Sequence, residues 1–165
     1  MQTDFTGTPT ILGTFTVNSN LVTISAADND MSAGTHYFFS YQLKNREGNS
    51  PMSDVAEIAL ADYPSAPSTP NKIDSKSSVT SMQIEWSTVP ETQINVIGYE
   101  LWMDSGSDGL FNLVFSGRNR PGILTYLVEK LETGRAYRFK VRAVNFNGNG
   151  PFSNEAVYFS CLPPQ

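Results

Sequence analysis

Cysteine and histidine are nearly missing from this chain: Cys161 and His36 each stand alone in 165 residues. A single cysteine excludes an intrachain disulfide. With no second thiol or neighbouring histidine, Cys161 has neither metal-ligand spacing nor an activating base; only an intermolecular disulfide stays open to it. Long apolar runs are missing as well. No stretch approaches the roughly 18–20 residues that a membrane-spanning helix needs, and the opening MQTDFTGTPTIL has no basic n-region followed by an apolar core. Charged residues make up only 16 % of the chain and sum to −5. That balance argues against nucleic acid, which demands a basic footprint, and against anionic membrane surfaces. No Asn-x-Ser/Thr acceptor occurs among the many asparagines. Nor is there a Gly-rich phosphate loop, a nucleophile elbow or a His-rich metal motif, so no cofactor, metal or catalytic site is expected.

What the chain does have is apolar and aromatic content, 39 % and 12 %, sufficient for a packed core. It also repeats itself. Shifting the sequence by 100 pairs Gly34 with Gly134, Tyr37 with Tyr137, Phe39 with Phe139 and Asn45 with Asn145. Gly48, Asn49, Pro51, Ser53 and Ala56 find identical residues at 148, 149, 151, 153 and 156, without a gap. Pro64 and Pro164 continue the match into the following segment. A period near 100 residues exceeds any helical solenoid unit and suits a whole small domain.

The strand signals agree. SMQIEWST (81–88) alternates Met82, Ile84 and Trp86 with polar neighbours, and VIGYELWMD places Ile97, Tyr99 and Leu101 on one face. LFNLVFS, LTYLVEK, YRFKVRAVN and NEAVYFS add further short β-type runs, separated by the turn clusters DSGSDG, NRPG, ETG and NGNGP. No window of helical length carries an i, i+3, i+4 apolar stripe. Six or seven short antiparallel strands at this spacing predict an all-β, immunoglobulin-like sandwich.

In order along residues 70–160 stand Trp86, Tyr99, Leu131 six positions before Tyr137, the alternation Tyr137, Phe139, Val141, Ala143, then Asn145, a Gly-rich turn and Ser153. This series resembles the fibronectin type III domain family. The earlier stretch matches the same half, with Met31 in place of the Leu, followed by Tyr37, Phe39, Tyr41, Leu43, Asn45 and Ser53. The resemblance implies that Tyr37 and Tyr137 are tyrosine corners, each hydroxyl bonding to upstream backbone. Trp86, Phe139 and Val141 are then expected inside, with Arg138, Lys140 and Arg142 outside.

The expected organisation is an incomplete repeat over 1–62 that enters at the third strand, a Pro-rich linker over 63–70, a complete repeat over 71–162 and the start of another linker at 163–165. In the 100-residue register Met1 meets Leu101, so the first copy's partners for the opening strands and for Trp86 would precede residue 1. The expectation is a fragment of a longer array; strands supplied by another chain, or a rearranged first unit, are the alternatives. Pro64, Pro67 and Pro70 recur every third residue, as a polyproline II spacer would require.

DSGSDG (104–109) matches the start of a calcium loop at Asp104, Asp108 and Gly109, but Gly106 occupies the third ligand position and Phe115 the twelfth. A hairpin turn accounts for it better. ADND (27–30) is expected to be the loop before Met31, and His36 to face solvent. Trp102 lies between two inward-facing positions, so alternation sends it outward. In this fold its strand neighbours the one bearing Arg138, Lys140 and Arg142, which makes these four residues the candidate protein-binding surface. The turns NREGNSP and NFNGNGP lie where the family places binding loops; neither holds an Arg-Gly-Asp tripeptide. The expected function is therefore non-enzymatic: a structural or adhesive module, at the cell surface or outside the cell. Its partners would be proteins and neighbouring domains of the same chain. An intracellular cytoskeletal or ciliary scaffold, or an accessory module of a secreted enzyme, is the alternative.

Overall fold

The computed structural model describes residues 11–12, 21–104, 106–107 and 109–161. Asp108, Pro164 and the 163–165 segment, all named above, lie outside them. The chain divides into two compact units, 1–32 and 33–165. In the described part of the first, ADND forms a 3-10 turn over Ala27–Asn29. It is closed by the Met31 amide donating to the Ala26 carbonyl at 3.0 Å, with Asp30 in the left-handed region at φ 52°.

The second unit opens with a hairpin of β1 (His36–Phe39) and β2 (Ala56–Ala59). A β-sandwich follows. One sheet orders β3 (Asn71–Lys72), β4 (Met82–Glu85) and β7 (Thr125–Val128). The other orders β10 (Ala156–Phe159), β8 (Ala136–Asn145), β5 (Val96–Met103) and β6 (Asn112–Ser116), with β9 (Gly148–Phe152) also on β8. All pairings are antiparallel.

Period-two alternation decides which side chains meet between the sheets. Met82 and Ile84 of β4, Tyr99 and Leu101 of β5, and Tyr137, Phe139, Val141 and Ala143 of β8 form the core with Trp86, Val128 and Leu131. Trp86 follows β4 directly, packs on Tyr99 and Phe115 at centroid distances of 6.4 and 5.9 Å, and donates its amide to the Leu124 carbonyl. The Tyr137 hydroxyl accepts from the Glu132 amide at 2.9 Å, tying β8 to the crossover that precedes it. β3 and β9, which no strand pattern announced, are held by pairing to their neighbours rather than by apolar faces of their own.

The repeat survives as geometry. Gly34 and Gly134 adopt φ 82° and 79°, values that a Cβ disfavours, and their amides donate to Leu60 and Ser160. His36 pairs with Ala59 and Phe39 with Ala56, as Ala136 pairs with Phe159 and Phe139 with Ala156. The Asn45 and Asn145 side-chain oxygens each accept from two turn amides, at 47 and 48 and at 147 and 148. Ser53 and Ser153 make equivalent bonds to Tyr41 and Val141. Thus β1–β2 is the same hairpin as β8–β10, built from the same local instructions.

Candidate functional site

The outer face of the β5–β8 pair carries the Trp102, Arg138, Lys140 and Arg142 cluster. In register, Glu100 opposes Arg142 and Trp102 opposes Lys140, and the Asp104 amide continues the ladder to the Arg138 carbonyl. Each cation is engaged. Arg142 donates from Nε and Nη2 to one Glu100 oxygen at 2.9 and 2.8 Å, while its guanidinium lies over the rings of Trp102 and Phe152. Lys140 Nζ sits 3.9 Å from the Phe111 centroid and 4.4 Å from that of Phe152. Arg138 donates to Asp104 at 2.8 Å and to the Gly109 carbonyl, stacks on Phe111, and reaches Glu155 at 3.4 Å. Trp102 meets Phe152 edge-on at 5.7 Å. Among the described residues the buried indole N–H groups of Trp86 and Trp102 find no acceptor, so ring packing holds Trp86, and packing together with the Arg142 guanidinium holds Trp102.

Two carboxylates anchor this face: Glu100, which the sequence reading did not single out, and Asp104, which it weighed only as a calcium-loop position. Glu100 is 5 % exposed and Asp104 1 %. Burial by itself would push the Glu100 carboxyl up, but the hydrogen bonds and charges of Arg142 and Arg118 outweigh it and hold the group below its ordinary value. For Asp104, burial is likewise outweighed by bonds from the Arg138 backbone and side chain and from the Gly106 amide. Their signal was readable: Glu100, Trp102 and Asp104 alternate along one face of YELWMD, opposite Arg142, Lys140 and Arg138. Because the Asp104 carboxylate accepts from the Arg138 backbone and side chain and from the Gly106 amide, it offers no free oxygen pair to a cation. Among the described residues no group of His, Cys, Asp or Glu side chains is arranged to hold a metal ion, and no helix is long and apolar enough to cross a membrane.

A second polar cluster joins the first hairpin to the sandwich. Asn147 donates from Nδ2 to the carbonyls of Ala59 and Ala61 at 2.9 and 2.8 Å, and Asn145 donates to the Asp62 carbonyl at 2.8 Å. The Asp62 amide donates to Gln93 Oε1 at 3.1 Å, and Gln93 Nε2 returns a bond to the Asp62 carboxylate. His36, bonded to Glu57 at 2.7 Å, lays its ring 4.5 Å from Phe146. Pro64, Pro67 and Pro70 are all buried while the residues between them are exposed. Recurrence every third residue places the three rings on one side of an extended segment, and that side lies on the sandwich. Gly150 makes room for it, since a Cβ there would stand 2.4 Å from the Pro64 carbonyl oxygen.

Tyr37 and Phe39 lie half-buried on the first hairpin; Trp86, Tyr99, Leu131, Tyr137 and Phe139 are buried in the sandwich. Cys161 is exposed.

Comparison with known proteins places the chain among relatives of this architecture. Fibronectin type III domain containing protein 3C1 of Mus musculus is 31 % identical over 137 residues, 82 % of this chain and 10 % of that protein. M-protein of striated muscle from Gallus gallus is 29 % identical over 129 residues, 77 % of this chain and 9 % of that protein. The chain thus spans about a tenth of the length of these relatives. Among solved structures, the FN1–FN3 domains of chicken CNTN1 share its fold with a TM-score of 0.59 at 24 % identity, over 81 % of this chain and 46 % of that one. The model of the fibronectin type III domain matches residues 65–158, more than half of the chain, and the chain belongs to that family.

Proposed function

We propose that the chain is a non-enzymatic structural module of a longer fibronectin type III array, which sets the orientation of neighbouring units and binds protein partners. That it is a protein-interaction module follows from its family; the finer reading rests on the joint between hairpin and sandwich. In the joint, the turn after β8 of one repeat bonds to the backbone that leaves the preceding repeat. Three side-chain donor bonds to carbonyls, two bonds between Asp62 and Gln93 and a row of docked prolines replace a free tether. Hydrogen-bonded amides of this kind resist opening, whereas a solvated linker leaves its neighbours to reorient. The face formed by Trp102, Arg138, Lys140 and Arg142 is the surface we assign to partners, framed by the exposed apolar side chains of Leu113 and Val157.

The sequence reading places the module at the cell surface. The similarity to M-protein of striated muscle supports a second reading, an intracellular cytoskeletal scaffold. Hydrogen exchange tests the joint that both readings share. The Asp62 amide should be protected in the native chain and should exchange at least tenfold faster in the double variant Asn147→Ala/Gln93→Ala, with β8 amides unchanged. Exchange of Asp62 at the free-peptide rate in the native chain would overturn the proposal.

A further inference from the structure

The turn that closes the joint, NGNG at 147–150, holds the two Asn-Gly pairs of the chain. Such a pair can close on itself, because glycine has no Cβ to keep its backbone nitrogen away from the preceding side-chain carbonyl carbon. The structure treats the two pairs differently. Asn149 lies in β9 opposite Val144, with its side-chain oxygen held by Arg118 Nη2 at 2.7 Å. There the strand fixes the backbone, and ring closure would require it to leave β8. Asn147 sits in the turn, half-buried, with Nδ2 donating to the Ala59 and Ala61 carbonyls at 2.9 and 2.8 Å. The Gly148 amide, whose nitrogen is the nucleophile of ring closure, donates to Asn145 Oδ1 at 3.2 Å. Asn145 in turn donates to the Asp62 carbonyl. Closed, the joint immobilises the Asn147 amide and, through Asn145, steadies the cap on the Gly148 nitrogen. Opening frees the first and loosens the second.

We infer that Asn147 is a deamidation site gated by the joint, and that its modification holds the joint open; the inference rests on the joint proposed above. In the reaction the Gly148 nitrogen gives up its proton and attacks Cγ of Asn147. The new C–N bond forms, the Cγ–Nδ2 bond breaks, and Nδ2 leaves as ammonia with a proton returned through solvent. Water then opens the succinimide at either carbonyl carbon, leaving aspartate or isoaspartate at position 147. One water is consumed and one ammonia released, and nothing is oxidised or reduced. The product has lost both donors, since an amide with two N–H bonds has become a carboxylate that only accepts. In the closed joint it would face the Ala59 and Ala61 carbonyl oxygens, where oxygens repel and the charge is partly desolvated. Closure is then unfavourable, so an opening during which the reaction occurs becomes permanent. The same places in the first copy hold Glu47 and Gly48, and that turn has no such reaction.

The test ages the full chain at mildly alkaline pH and follows residues 147 and 149 by peptide-mapping mass spectrometry. The synthetic peptide AVNFNGNGPFS serves as the unrestrained reference. Asn147 of the native chain should convert at least tenfold more slowly than in the peptide. In the double variant Gly34→Ala/Gln93→Ala it should convert at least threefold faster than in the native chain, while Asn149 keeps its native rate. That variant removes both bonds to Asp62 and sets a Cβ 2.9 Å from the Gln93 carbonyl oxygen, leaving Asn147 and its cap in place. Asn147→Asp in the full chain supplies the direct product. Its Asp62 amide should exchange at least tenfold faster than the native one, with the Phe139 and Val141 amides unchanged. Native conversion at the peptide rate, no acceleration in the double variant, or native protection of Asp62 in Asn147→Asp would overturn the inference and leave the joint standing. Exchange of the Asp62 amide at the free-peptide rate in the native chain would overturn both.

Discussion

Replacing Glu100 by Gln keeps the size of the side chain and removes the charge on which two arginines converge. The carboxylate, 5 % exposed, accepts from Arg142 Nε and Nη2 at 2.9 and 2.8 Å and from Arg118 Nε at 3.2 Å. Removing one member of a buried pair costs about 3–5 kcal/mol, because the remaining charge stays desolvated. Two features place Glu100→Gln at the lower end. The Arg118 and Arg142 side chains remain 46 % and 19 % exposed, and Arg142 keeps the faces of Trp102 and Phe152. The expected loss is therefore about 3 kcal/mol, or about 1–3 M in the urea midpoint at a slope of about 1–3 kcal/mol per molar. Tryptophan fluorescence would follow the transition, since Trp86 lies in the core. The pH dependence is a second signature. Both Glu100 and Asp104 titrate below their ordinary values in the folded chain, so their contribution is complete above the unfolded carboxylate range, near pH 4. It disappears as the pH falls through the folded values. Glu100→Gln should therefore be less acid-sensitive than the native chain, retaining only the Asp104 share. Changing Glu100 and Arg142 together to Leu should recover much of the loss, because no lone buried charge is left. A midpoint shift corresponding to less than about 1 kcal/mol, with unaltered acid sensitivity, would refute this account of the ladder.

Two further substitutions probe the core and the corner. Trp86→Ala removes the ring that packs on Tyr99 and Phe115 and should cost about 3–5 kcal/mol by chemical denaturation; a loss below half of that would mean the site collapses around the cavity. Tyr137→Phe deletes only the hydroxyl that accepts from the Glu132 amide and should cost about 1–2 kcal/mol. The Glu132 amide should exchange faster in that variant, and unchanged exchange would separate the residue's packing from its hydrogen bond.

Much of the fold could be read from periodicity because a half-buried strand writes its two faces directly into alternate residues. In β8, Tyr137, Phe139, Val141 and Ala143 went inward and Arg138, Lys140 and Arg142 outward, as alternation required. β3 and β9 could not be read this way. Asn71–Lys72 is too short to show a period, and Gly148–Phe152, with two glycines and a proline, is a strand only because β8 lies beside it. Within the ladder face the cations and Trp102 were legible, but Glu100 was not singled out and Asp104 was weighed only as a calcium-loop position. Charges in a sequence look solvent-bound until the register that pairs them is known.

By itself the sequence determined the strand faces, the core set and the recurrence of one hairpin after 100 residues, because each depends on neighbours close along the chain. Tertiary structure alone decided the rest. It put Glu100 and Asp104 beneath the arginines of β8, wired Asn145 and Asn147 into the backbone at Ala59, Ala61 and Asp62, and docked the prolines of 64–70 instead of leaving them extended in water. It also set one phrase in two environments, with Val141 and Ala143 buried and Tyr41 and Leu43 bare. Burial is a property of what lies across the sheet, and that is not written in the strand itself.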